Sequence, residues 1–112
     1  MAQFILLLRN GEFPVYSPEE MQKVLEKYLA WADKLRAEGR YRGGDDLKEG
    51  GCVLSMKNGK FIVDGPYVET KEIVGGYFLI EAKNLEEAAE ISKECPHLGF
   101  SGSIEIREIN PH

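Results

Sequence analysis

The run Asp64-Gly65-Pro66-Tyr67-Val68-Glu69-Thr70-Lys71-Glu72 packs an acid, a phenol, a hydroxyl and a lysine behind a stiff Gly-Pro step. A carboxylate held at a strand end beside a rigid turn can serve as a base or ligand acceptor, which makes Asp64 the leading acid/base candidate. Burial between the sheets of a dimer would disfavour its ionised form and move its pKa toward a useful range. A turn aspartate usually accepts a backbone N–H two residues on, but that residue is Pro66, which has none. Asp, Gly and Pro are also ordinary turn residues. What favours function is length, since the connection 64–74 is far longer than most hairpin loops.

Other residues could assist such a centre. Tyr67 and Trp31 could line a cleft, and Lys71, Arg9 or His97 could pair with an anionic group on a ligand. His97, in Cys95-Pro96-His97, is a second and weaker catalytic candidate. Packing for Trp31, a surface ion pair for Arg9 and a capping role for His97 are the plainer readings. With a single internal histidine and no His/Cys cluster, a protein-built metal site is not expected. No GxGxxG, P-loop, GxSxG or HExxH pattern occurs, so no cofactor is expected.

Composition narrows the partners. The net charge of −5 and scattered basic residues argue against a nucleic-acid backbone as partner. The densest basic stretch, Arg36 to Arg42, is diluted by Glu38 and two nearby aspartates. The longest apolar run, Phe4 to Leu8, is far short of the roughly twenty residues of a membrane span. No signal peptide is readable at the N-terminus, and Cys52 and Cys95 lie far apart, so two reduced, packed thiols and a cytoplasmic setting are expected.

The elements that must position these residues are legible. Residues 3–9 form a first strand. Ser17-Pro18-Glu19-Glu20 opens a helix with a cap, a proline at the first position and a capping box. Met21, Val24, Leu25, Tyr28, Leu29, Ala32 and Leu35 then fall on one face, and Gly39 closes the helix. Tyr41 to Gly51 reads as a loop or irregular strand. Cys52 to Lys57 and Lys60 to Val63 flank Asn58-Gly59, the strongest short hairpin signal. Gly76 to Glu81 is another strand. Asn84 and Glu87 cap a second helix with Leu85, Ala88, Ala89 and Ser92 inward, and Ser103 to Ile109 ends the domain.

This order predicts one α+β domain over 1–112: a ferredoxin-like antiparallel sheet with two helices on one face and its middle strands drawn out as a hairpin. Phe4, Leu6 and Leu8 alternate with Ile5 and Leu7, and Tyr77 and Leu79 with Phe78 and Ile80, so both faces of two strands are apolar. A face not covered by helices needs a cover, and the simplest is the same face of a second copy. A homodimer through the sheet face is therefore expected.

The run from Asp64 to Glu72, followed by Gly75-Gly76-Tyr77-Phe78-Leu79-Ile80-Glu81, resembles the YCII-related family in its DGPF-domain branch. Cys95-Pro96-His97 and Ile104-Glu105-Ile106-Arg107 resemble that branch's closing segment. Tyr67 and Val68 stand where the family pattern usually has Phe and Ala. The resemblance implies a dimeric α+β barrel. A His–Asp pair suggested for a shorter branch does not carry over, because residues 1–96 contain no histidine and only Asp64 has a counterpart. The expected function is binding of a small molecule, with an anionic ligand as the expected partner, near the Asp64-Gly65-Pro66 loop, with acid/base activity. The alternative is a non-catalytic regulatory or partner-binding module of the kind found beside transcription regulators.

Overall fold

The computed structural model describes residues 1–10, 16–48, 50–65, 74–100 and 102–112. The element order is β1 (Ala2–Arg9), α1 (Pro18–Ala37), β2 (Tyr41–Asp46), β3 (Val53–Lys57), β4 (Lys60–Asp64), β5 (Val74–Ala82), α2 (Leu85–Ser92), a 3-10 turn (Pro96–Phe100) and β6 (Ser103–Glu108). Four strands form an antiparallel sheet in the order β2-β5-β1-β6. Two helices contribute to a core on one of its faces, as the ferredoxin-like α+β reading requires.

Local chemistry starts each helix where the sequence says. The Ser17 hydroxyl accepts from the Glu20 N–H (3.2 Å), and the Glu20 carboxylate accepts from the Ser17 N–H (3.0 Å). That reciprocal pair satisfies two donors the helix itself cannot, and it holds the Glu20 carboxyl below its ordinary range. Asn84 caps α2 by accepting from the Glu87 N–H (2.9 Å). The Glu87 carboxylate turns instead to Arg40 (2.8 Å), tying α2 to the segment ahead of β2.

The core sits between the helices and alternate residues of the central strands. Phe4, Leu6, Leu8, Phe78, Ile80 and Ala82 point into it, met by Trp31, Ala32 and Leu35 from α1 and Ala88 from α2. Leu85, read as part of the inner stripe of α2, is exposed; Ala88 and Ser92 carry the packing, and Ile91 joins from the side. Cys95 is buried, but Cys52 is exposed at the foot of the hairpin and packs in no core.

In the middle of the chain, of the two readings loop and irregular strand, Tyr41–Asp46 takes the second: it is an edge strand, paired with β5 and interrupted by an irregularity between Tyr41 and Gly43. Its weak intrinsic propensity is overruled by close approach. A Cβ at Gly44 would lie 2.8 Å from the Tyr77 carbonyl and 2.9 Å from the Phe78 ring, so only glycine fits against β5 there. The Asn58-Gly59 hairpin forms with both turn residues at positive φ, 52° and 75°. It does not extend the main sheet, however. β3 and β4 pair only with each other and project as a two-stranded arm whose ten residues are all exposed.

Leu6 is fully buried at the centre of the sheet, so Leu6→Ala should cost about 2–5 kcal/mol in urea unfolding. Ser17→Ala should cost only about 1 kcal/mol, through the cap.

Candidate functional site

The apolar stripe of α1 is used in two ways. Its C-terminal half, Trp31, Ala32 and Leu35, is buried in the core. Its N-terminal half stands off the sheet, leaving Met21, Leu25 and Leu29 exposed. The space beneath is a cleft of about 490 Å³. Its floor is Leu8, Gly76 and Phe78, and Met21, Leu25 and Leu29 face it from the helix. Tyr41, Asp45 and Asp46 of β2 form one rim, and Tyr28, His97 and Phe100 lie along the other.

Tyr28 and His97 form the polar centre of that wall. His97 is buried, with Nε2 2.8 Å from the Arg9 carbonyl. A carbonyl only accepts, so Nε2 carries the hydrogen. In the neutral ring Nδ1 is then the acceptor for the Tyr28 hydroxyl, 3.0 Å away. Protonation of the ring reverses this second bond, with Nδ1–H donating to the phenol oxygen. A ligand hydroxyl that donates to Tyr28 is thereby joined to a buried base through one oxygen. Desolvation pushes the Tyr28 phenol above its ordinary range, which keeps it protonated between ligand and imidazole.

The ring is clamped from behind. A Cβ at Gly102 would lie 2.2 Å from His97 Nε2, so β6 passes too close for any side chain. Phe100 tilts against Tyr28 with centroids 6.2 Å apart, and Tyr16 meets Phe100 edge-on at 6.3 Å. The cleft thus has aromatic walls with convergent oxygens, the usual make-up of a small-molecule site. Among the described residues its lining includes no lysine or arginine; of the two aspartates there, Asp46 pairs with Gly76 on the cleft side of the sheet, whereas Asp45 pairs with Tyr77 and shares the helix-free face.

The sequence-predicted residues are dispersed. His97 lines the cleft. The Arg9 backbone carbonyl accepts from His97 Nε2, while its guanidinium donates to Glu105 at 3.3 Å. Trp31 does not line the cleft; it packs edge-on against Phe78, centroids 5.0 Å apart. Asp64 is exposed on the arm, outside the cleft lining. Tyr67 and Lys71 lie outside the described residues. Sequence reading missed Tyr28, Asp45 and Asp46. Tyr28 fell in the helical stripe and passed as core, although a half-buried tyrosine needs a partner for its hydroxyl.

A family model of the YCII-related domain matches residues 2–112. The chain belongs to the YCII-related family. A relative from Rhizobium meliloti (strain 1021), an uncharacterised protein, is 37% identical over 98 residues, covering 84% of this chain and 79% of the relative. Among solved structures, this YCII-related chain is similar to 5-chloro-2-hydroxyhydroquinone dehydrochlorinase from Burkholderia phenoliruptrix AC1100, in complex with 2,5-dihydroxybenzoquinone. The TM-score is 0.51 at 14% identity, covering 96% of this chain and 93% of the other. At that identity the likeness establishes the fold.

Because burial raises the Tyr28 phenol, its neutral form stabilises the fold fully below pH about 10, and that contribution is lost as pH rises further. Ultraviolet titration should show a phenol that ionises above the ordinary tyrosine range, a transition absent in Tyr28→Phe. Gly102→Ala should displace the His97 ring, read as a shift of its imidazole NMR signals with the far-ultraviolet circular dichroism unchanged.

Proposed function

We propose that this YCII-related domain belongs to the DGPF branch, a reading supported by its Asp64-Gly65-Pro66 run, and that it binds a small hydroxylated ring under α1 and moves a proton on it. The observation that carries this reading is the hydrogen-bonded line from Tyr28 through His97 to the Arg9 carbonyl, set in the wall of an aromatic cleft. In it Tyr28 accepts the ligand's hydroxyl proton as it passes its own to His97 Nδ1, and Asp46 accepts a hydrogen bond from a second hydroxyl. The dehydrochlorinase of similar fold is in complex with 2,5-dihydroxybenzoquinone, which supports the class of ligand. The Asp46 carboxylate, with no lysine or arginine in the lining among the described residues, turns the preference from an anionic group toward an uncharged hydroxylated one. Asp64, on the exposed arm, has no part in this relay.

The working unit is a homodimer through the helix-free face of the sheet. Register places Ile5 opposite Leu79 and Leu7 opposite Tyr77 on that face, a contiguous apolar band. Among the described residues no helix is long and apolar enough to cross a membrane. A cytoplasmic setting is part of the proposal, supported by two free thiols, with the Cys95 thiol pushed up to about 11 by burial and so kept unreactive. The rival reading, a non-catalytic regulatory or partner-binding module, draws on the exposed arm.

Hydroquinone and benzoate make a matched pair of probes. Titration calorimetry should show hydroquinone binding the purified protein more tightly, and Tyr28→Phe weakening it about tenfold. Tighter benzoate binding would restore an anionic ligand, and no binding by any hydroxylated ring would end the enzyme reading. Sedimentation should find a dimer at micromolar concentration. Leu7→Lys should give monomer or aggregate, whereas Glu90→Lys, on the exposed side of α2, should change little.

A further inference from the structure

The chain that carries this arm is less compact than its length allows. The radius of gyration is 16.0 Å, against about 13 Å for a compact chain of this size. The accessible surface is 8259 Å², about 2,000 Å² more than a compact monomer of this mass exposes. An excess of that size on each chain matches what large, permanent dimer interfaces bury.

The chemistry of the arm shows what it fits. Cross-strand register puts Leu54 opposite Val63 and Met56 opposite Phe61, so one face of the hairpin is four apolar side chains. They are 61%, 64%, 60% and 71% exposed respectively, and none lines the cleft of its own chain. A two-stranded hairpin has no independent stability in water, so such a face persists only against something. Lys57 and Lys60 are paired at the tip, beside the Asn58-Gly59 turn. The same chain offers the complement: the exposed stripe Met21, Leu25 and Leu29 over an open cleft, with Asp45 and Asp46 on its rim.

We propose that each arm serves the other chain. In the homodimer, β3–β4 of one protomer lies across its partner's cleft. Its Leu54, Met56, Phe61 and Val63 face covers the exposed stripe of α1, and Lys57 and Lys60 sit beside the carboxylates of the rim. The cleft is then a composite site, closed from water by two side chains, Met56 and Phe61, that its own chain cannot supply. Two such contacts related by a two-fold axis are self-complementary and close the assembly at two copies. The inference rests on the dimer proposed above, not on the chemistry assigned to the cleft.

Isotopically light and heavy protein, mixed and allowed to exchange chains, would be coupled with a water-soluble carbodiimide and mapped by mass spectrometry. The expected product joins Lys57 or Lys60 to Asp45 or Asp46 in light–heavy pairs. The double variant Met56→Ser/Phe61→Ser should raise the dimer dissociation constant at least tenfold in sedimentation. Both residues are exposed in the protomer, so their change leaves its core untouched. Links found only within single chains would overturn the proposal. So would a double variant that dimerises as tightly as the parent; if Leu7→Lys still disrupts that dimer, the sheet-face dimer survives and only the arm's role falls. A parent chain that sediments as a monomer would remove both.

Discussion

Antiparallel pairing of β1 with β5, in register from Ala2 opposite Ala82 to Leu8 opposite Gly76, sets everything else in place. Strand periodicity leaves no freedom once this register is chosen: a slip of β1 by one residue would turn Phe4, Leu6 and Leu8 out of the core together. The same pairing fixes β2 along one flank and β6 along the other, and so positions Asp45 and Asp46 on one side of the cleft and Gly102 and His97 on the other. It also presents Ile5, Leu7, Tyr77 and Leu79 together on the face without helices.

The cleft exists because α1 is longer than the core beneath it needs. Three of its residues are buried near the C-terminal end, and the helix continues outward over the sheet without filling the space below. The strength of the capping box at Ser17 and Glu20 is consistent with that geometry, since an end with little packing depends more on local hydrogen bonds. On the wall, the His97 ring is held on both nitrogens and pressed by the Gly102 backbone, so its orientation is set before any ligand arrives.

Much of this was legible in the residues. The helix starts at Ser17 and Asn84, the Asn58-Gly59 turn and the two-faced strands each have a short-range or periodic signature, and the α+β fold followed from them. Two things did not follow. The residues of Tyr41–Asp46 left open whether it is a loop or an irregular strand, and β5 decides for the strand by close pairing with a Gly-Gly-Asp-Asp sequence, a tertiary effect. The hairpin was identified, but where it points is set by long-range packing, and the sequence reading left it in the sheet. The site was half visible for a related reason. His97 stood out as a rare residue type, whereas Tyr28 took a position in a helical stripe that any apolar side chain could occupy. The Asp64 loop drew the eye by composition, yet Asp64 itself sits on the arm, clear of its own chain's cleft.

The split duty of α1 has a consequence for motion. A helix whose one end is embedded and whose other end is held by its cap can fray in segments, and its first turns belong to the low-stability part of the molecule. Whatever occupies the space beneath Met21, Leu25 and Leu29 adds the packing those turns lack. Occupancy would then be recorded in the backbone, as slower amide exchange confined to the start of one helix, while the turns around Leu35 exchange at the rate of the global fold. Affinity in such a site is set partly by how much helix must be ordered, so the residues that tune it need never touch the ligand.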